Sequence, residues 1–479
     1  MAPDPNAART RARVVHGDWQ TPPALARRVT ALLRARGVEA AAVVEPTCGC
    51  GAFVEAALAA FPGARVLGFE VSDEHLAGAR DHLRGTRAEL QRADFFAVDW
   101  EATLGALPDP VLVLGNPPWV TSATLGSHAS RNLPDKSNFK GHRGLDARTG
   151  KANFDISEWM MLQLLEALRG RPFTLAMLCK SSVARRLLAA SADRNWPVEG
   201  ATWRIDAKEH FDAAVDAALL TVSGRAEAPA VHRWPMYDGL DAARPTRAMG
   251  VAGGEVVSDL DAFAETQGLA GRSALAWRSG VKHDCAAVME LRREGGALVN
   301  GLGERVEVEP ELVFPMRKGS DVANGRAATG RYVIVTQRAI GDDTERLRAT
   351  APRAWAYLDA HRALLAGRKS SIYRGRPPFA IFGVGDYSFA PHKVAICGLY
   401  KRLRFVAIGP EGGRPVMLDD TSYFLPCETA AHAESLAAAL NGARARRFFE
   451  ARVFWDAKRP VSKALLQALS LEALLRAEG

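Results

Sequence analysis

No run of about 18 or more apolar residues occurs anywhere in the 479-residue sequence, so no stretch reads as a membrane-spanning helix. The opening segment MAPDPNAARTRARVVHGDW has arginines but no apolar stretch behind them, so neither a secretory signal nor a membrane anchor is expected, and a cytoplasmic location is. Cysteine is scarce: Cys48, Cys50, Cys179, Cys285, Cys397 and Cys427 show no CxxC pair and no Cys/His ligand spacing, so neither a disulfide framework nor a zinc site is expected. Repeats and low-complexity tracts are also missing. What charge imbalance there is runs to +8, which favours an acidic partner such as nucleic acid. An Arg- and Ala-rich composition produces the same excess by itself.

What is present suits a folded protein of more than one domain: 48% hydrophobic and 24% charged residues, with a length beyond one ordinary domain. Through residue 224, strand-like runs (AAVVE, ARVLGFEV, AELQRADFF, PVLVLG, FTLAMLCK, ATWRIDAKEHF, AALLTVSG) alternate with helical segments, predicting a mostly parallel sheet covered on both faces. A long polar stretch, residues 121–153, interrupts this series and reads as a basic lid or a solvated loop. GRAEAPAVHRWPMYDGLDAARPT reads as a linker, and short β-like runs beyond it predict a mixed second domain. The expected division is 1–235 and 236–479.

Chemistry concentrates at strand ends. VVEPTCGCGAF runs from an apolar strand through an acidic residue, Glu45, into a glycine turn at Gly49 and Gly51 and then a helix, an arrangement that suits a nucleotide at the carboxyl edge of a doubly wound sheet. The next strand ends in Glu70, placed to accept ribose hydroxyls, and the third in Asp94 and Phe95, suited to an adenine amino group and ring. A single carboxylate at a strand end is often a helix cap. Three in succession point to a ligand. The fourth strand ends in Asn116-Pro117-Pro118-Trp119, which neither extends a sheet nor starts a helix.

GDWQTP, EPTCGCGAF, GFEVS, ADFF and NPPW, in that order, resemble the motif series of the gamma-class DNA adenine-N6 methyltransferases. The resemblance covers residues 16–224 and, by order alone, makes the remainder a target-recognition domain. It implies a Rossmann-like, class I S-adenosylmethionine-dependent methyltransferase domain followed by a mixed α+β recognition domain. S-adenosyl-L-methionine would be held by Thr21 and Pro22 at its methionine end, by the turn Glu45, Pro46, Cys48, Gly49 and Gly51, and by Glu70, Val71, Asp94, Phe95 and Asn116. The Asn116 side-chain carbonyl and the Pro117 backbone carbonyl would accept the two amino protons of an extruded adenine, with Pro117 and Pro118 stiffening the loop. Trp119 would stack on the base, and Phe211 would pack against it where it is not simply a core phenylalanine.

Basic residues outside these motifs suit DNA phosphates: Lys140 and Arg143 in the polar stretch, and Arg368, Lys369, Tyr373, Arg374 and Arg376 in GRKSSIYRGRPPF. A second basic run, ARARRFFEARVFWDAKR, reads equally as an amphipathic helix with Phe449 and Val453 inward. Double-stranded DNA is the expected partner, bound by a monomer, with any cognate cleavage in a separate polypeptide. RNA or protein-glutamine methylation on the same fold, and a non-catalytic DNA-binding subunit, are the alternative readings. The stretches around His283-Asp284 and Gly383–Tyr387 receive no chemical role.

Overall fold

The computed structural model describes residues 19–120, 155–224 and 230–478, in two compact units divided between Asp261 and Ala262. The first unit is built on one sheet. After helix α1 (Pro23–Ala35) come β1 (Ala42–Glu45), α2 (Ala52–Ala60), β2 (Arg65–Glu70), α3 (Asp73–His82), β3 (Glu89–Arg92), α4 (Trp100–Gly105), β4 (Val111–Gly115), α5 (Ile156–Ala167), β5 (Phe173–Lys180), α6 (Ser181–Asp193), β6 (Val198–Ile205), α7 (Ala207–Phe211) and β7 (Ala217–Gly224). Three more strands, β8 (Arg233–Tyr237), β9 (Arg247–Ala252) and β10 (Glu255–Val257), complete ten in the order β10-β9-β8-β6-β7-β5-β4-β1-β2-β3.

The pairs β1–β2, β2–β3, β1–β4 and β4–β5 are parallel, and β7 runs antiparallel between β5 and β6. Because the chain winds from β1 outward to β3 and then returns to β4 on the other side, the strand order switches direction between β1 and β4. Crevices in such sheets open there, beyond the carboxyl ends of the strands. The alternation of side chains along a strand explains the two cores: Val111 and Val113 of β4 face one cluster, and Leu112 and Leu114 face the other.

Two segments depart from expectation. ATWRIDAKEHF is strand only through Ile205, because the Asp206 carboxylate accepts the Lys208 and Glu209 amides and opens α7. The segment read as a linker contains β8, parallel to β6, and the unit closes after β10 rather than at residue 235. Its anchor is Trp234, fully buried over Gly200, where any Cβ would overlap the indole.

The second unit is mixed, as expected. A four-stranded antiparallel sheet has the order β11 (Arg278–Ser279), β20 (Ser422–Cys427), β17 (His392–Cys397), β18 (Val406–Ile408). A six-stranded sheet has the order β14 (Arg305–Val306), β13 (Ala297–Asn300), β12 (Glu290–Glu294), β16 (Arg331–Ile334), β15 (Val313–Arg317), β19 (Met417–Leu418). No helix among the described residues is long and apolar enough to cross a membrane.

Candidate active site

The register Val44↔Val113 brings the ends of β1 and β4 side by side, so the turn that begins at Glu45 runs beside the end of β4 that leads into Asn116. Gly115 has no side chain, and a Cβ there would lie 3.5 Å from Glu45 Cγ. The turn after β1 is tied to the end of β2 by backbone. Cys48 N–H donates to Phe69 O (2.7 Å), and Gly49 N–H donates to Glu70 Oε2 (2.8 Å). Gly49 (φ 51°) and Gly51 (φ 87°) take left-handed conformations that other residues adopt only at a cost, and Gly51 opens α2.

Glu70 is buried, with Oε1 accepting from Ser72 N–H (2.8 Å) and Oε2 from Gly49. Each of its oxygens keeps a second lone pair for a ligand hydroxyl. Val71 beside it is exposed. Asp94 both caps and remains available: Oδ1 accepts from Phe96 N–H (3.0 Å), and Oδ2 has no partner among the described residues. The Phe95 side chain does not fulfil the expected ring contact. It is buried among Trp100 and Trp159, because the short helical turn Phe95–Ala97 rolls it into the core.

Asn116 is asymmetric. Its Nδ2 donates to the Trp19 carbonyl (3.0 Å), while Oδ1 is buried without a partner. A carbonyl neighbour accepts only the amide's donor end, so the orientation follows from chemistry. Among the described residues, the buried side-chain atoms Glu45 Oε2, Thr47 Oγ1 and Asn116 Oδ1, all at these two strand ends, have no hydrogen-bond partner. Burial, with the Glu70 charge adding to it, pushes the Glu45 carboxyl well above its ordinary pKa. Burial likewise raises the Cys48 thiol, so this cysteine fills the turn as a neutral group. All three unmatched atoms can accept, and a ligand rich in N–H and positive charge would satisfy them.

Pro117 is buried and Pro118 partly so. The Trp119 ring is also buried: its indole N–H donates to Leu178 O (3.2 Å), and it meets Phe211 edge-to-face at 5.2 Å. The two aromatics expected to flank a base are thus brought together, but they are packed against each other and against the core. Thr21 and Pro22 lie just ahead of α1, with Pro22 at its cap. Among the described residues no group of three His, Cys, Asp or Glu is placed to hold a metal ion.

Sequence reasoning passed over Trp19, Gln20 and Thr47. The first two stand inside GDWQTP, but a main-chain carbonyl leaves no mark in residue type, and Thr47 reads as an ordinary turn residue.

In the second unit the basic turn divides by role. Arg368 is half-buried and donates to the carbonyls of Leu365 (2.7 Å), Ala380 (2.7 Å) and His283 (3.3 Å), with its guanidinium 3.7 Å from the Tyr373 ring centroid. Tyr373 O–H donates to Lys282 O (3.2 Å). These two residues, expected at phosphates, bind instead the chain's own backbone, whose carbonyls outbid solvent once the turn folds over them. Lys369, Arg374 and Arg376 are exposed. The His283 and Gly383 stretches meet here, since Lys282 and Phe382 exchange backbone hydrogen bonds (2.8 and 2.9 Å) and Gly383 passes so close to Gly280 O that no Cβ fits. Their role in the fold is this crossing. In the second basic run, Phe448, Phe449 and Val453 are buried and Arg447 pairs with Glu265 (2.9 Å), which is the amphipathic alternative. Lys140 and Arg143 lie outside the described residues.

The sequence is 41% identical over 473 residues to the type II methyltransferase M.NspV of Nostoc sp. (strain ATCC 29411 / PCC 7524), a match spanning 97% of this chain and 98% of that one. The chain belongs to the type II methyltransferases. No family model matches the sequence. Among solved structures, that of the type IIL restriction–modification enzyme MmeI in complex with DNA is similar in fold, with a TM-score of 0.53 at 13% identity, covering 93% of this chain and 64% of MmeI. The chain thus spans a little under two thirds of that larger enzyme. As a type II methyltransferase, the protein has the expected Rossmann-like class I methyltransferase fold with a further mixed domain.

Proposed function

We propose that this type II methyltransferase transfers a methyl group from S-adenosylmethionine to the N6 amino group of an adenine extruded from duplex DNA. The observation that carries the reading is the Asn116 amide, its donor end committed to Trp19 and its acceptor end buried and unmatched. The amino nitrogen of adenine is a weak nucleophile because its lone pair is delocalised into the ring. Asn116 Oδ1 and the Pro117 carbonyl accept hydrogen bonds from its two N–H groups and favour a pyramidal nitrogen, whose lone pair is then localised for attack on the methyl group. Because prolines hold the loop, the acceptors need no reorganisation at the moment of reaction.

The residues fit the cofactor. Glu45 Oε2 and Thr47 Oγ1 would meet the N–H groups of its methionine end, Glu70 the ribose, and Asp94 Oδ2 with Val71 the adenine. Bound there, the cofactor supplies an electrophilic methyl on a sulfonium, and alignment accounts for much of the acceleration. Trp119 and Phe211 grip the base once Phe211 yields its edge contact. In the second unit, Lys369, Arg374 and Arg376 contact phosphates.

The test is radiolabelled methyl transfer to duplex DNA, RNA and protein, with the product nucleoside identified by mass spectrometry. N6-methyladenine from duplex DNA is expected, and Asn116→Ala should lower the rate by about 100-fold or more while cofactor affinity is nearly unchanged. Label recovered only in cytosine, RNA or protein glutamine would refute the reading.

A further inference from the structure

We infer that Gln20 is a positioning residue that aims the Asn116 amide, acting through the peptide plane it shares with Trp19. The inference rests on the proposed role of Asn116. The Trp19 carbonyl and the Gln20 N–H and Cα belong to one planar unit. Whatever fixes Gln20 therefore fixes the direction of the carbonyl that receives Asn116 Nδ2 at 3.0 Å.

Gln20 is fixed from its side chain. Its Oε1 accepts from Cys50 N–H (3.0 Å) in the glycine turn, and its Nε2 lies 3.5 Å from His75 Nδ1 on α3. The seat is shaped for it: Gly49 stands at φ 51°, and a Cβ there would collide with Gln20 Oε1. This glycine's bare face accommodates a glutamine amide. Two residues thus connect the turn after β1 to the amide after β4 without passing through the sheet.

Gln20 itself is exposed, so losing one hydrogen bond should hardly change stability, whereas a small rotation of the shared plane redirects Asn116 Oδ1. A group that merely stabilises the fold would change melting behaviour instead. Glutamate and methionine at position 20 separate the two roles, because glutamate keeps an oxygen for Cys50 N–H and methionine removes it at similar volume.

The experiment compares full-length wild type, Gln20→Met and Gln20→Glu by three readouts. These are hydrogen exchange of the amides in 115–120 in the free protein, the affinity for S-adenosylhomocysteine by calorimetry, and the single-turnover rate of transfer to duplex DNA. For Gln20→Met, faster exchange and a rate lowered about 10- to 100-fold are expected, with affinity held within about 3-fold, and Gln20→Glu should restore both. Unchanged exchange in Gln20→Met, or Gln20→Glu as impaired as Gln20→Met, would overturn the inference. So would a loss of affinity equal to the loss of rate, which would make Gln20 a cofactor ligand. If Asn116→Ala transfers as fast as wild type, the functional reading of Asn116 falls, and the exchange data, which need no substrate, decide the positioning role alone.

Discussion

Burial leaves the Glu45 carboxyl with one oxygen unmatched and raises its pKa well above 4.5. A carboxyl shifted this way contributes stability that is complete below its unfolded pKa and is lost as pH rises through the folded one, because the folded state then holds a charge it cannot solvate. Glu45→Gln removes the charge. Its melting temperature should match that of wild type near pH 4.5 and exceed it increasingly at higher pH, by about 2–4 °C for each kcal/mol relieved. If Glu45 meets the N–H groups at the cofactor's methionine end as proposed, the same variant should also bind S-adenosylhomocysteine more weakly at neutral pH. Parallel melting curves across pH would show that the buried charge is not the cause.

At the scale of elements, strand ends were legible and surfaces were not. The sequence marks β1, β2, β4 and β5 and the residues at their carboxyl ends, because apolar runs closing on Glu45, Glu70 and Asn116 follow directly from a buried parallel sheet, whereas β3, the partly exposed edge strand ahead of Asp94, is marked only by its place in the series. It does not mark which way a side chain turns within an irregular segment. Phe95 and Phe96 are indistinguishable until a helical turn sends the first inward, and α7 is decided by the cap at Asp206. The turn at 368–376 makes the same point with charge, where one arginine holds carbonyls and two face water. Arg368→Ala should therefore lower stability by about 1–3 kcal/mol while leaving the salt dependence of DNA binding intact. Joint neutralisation of Arg374 and Arg376 should do the reverse, reducing the log–log salt slope by about 2 if both touch phosphates. Denaturant melts and binding titrations over a range of salt separate the two cases.

For the whole molecule, the division between Asp261 and Ala262 means that the first unit takes in β8 to β10. The reason is packing. Tyr237 stacks on Trp203 at 4.8 Å, and Trp234 sits opposite Met249, both buried. A chain ending at residue 235 would strip these aromatics of cover and leave β8 as a broken edge. Residues 1–261 should melt as one cooperative transition by circular dichroism, whereas residues 1–235 should aggregate or melt lower by at least about 10 °C. Equal stability would mean that β8 to β10 are an appendage. The composition of 224–246, rich in proline, glycine and alanine, hides this role because a strand of five residues gives too short a pattern to stand out from a loop.

The bond from Asn116 to Trp19 spans 97 positions of sequence and has an evolutionary corollary. An aspartate in that place would set two oxygens face to face, and an alanine or serine would leave the carbonyl unanswered. The choice of an amide at the head of Asn-Pro-Pro-Trp is therefore already dictated by the chain's own beginning, before any nucleic acid has a say.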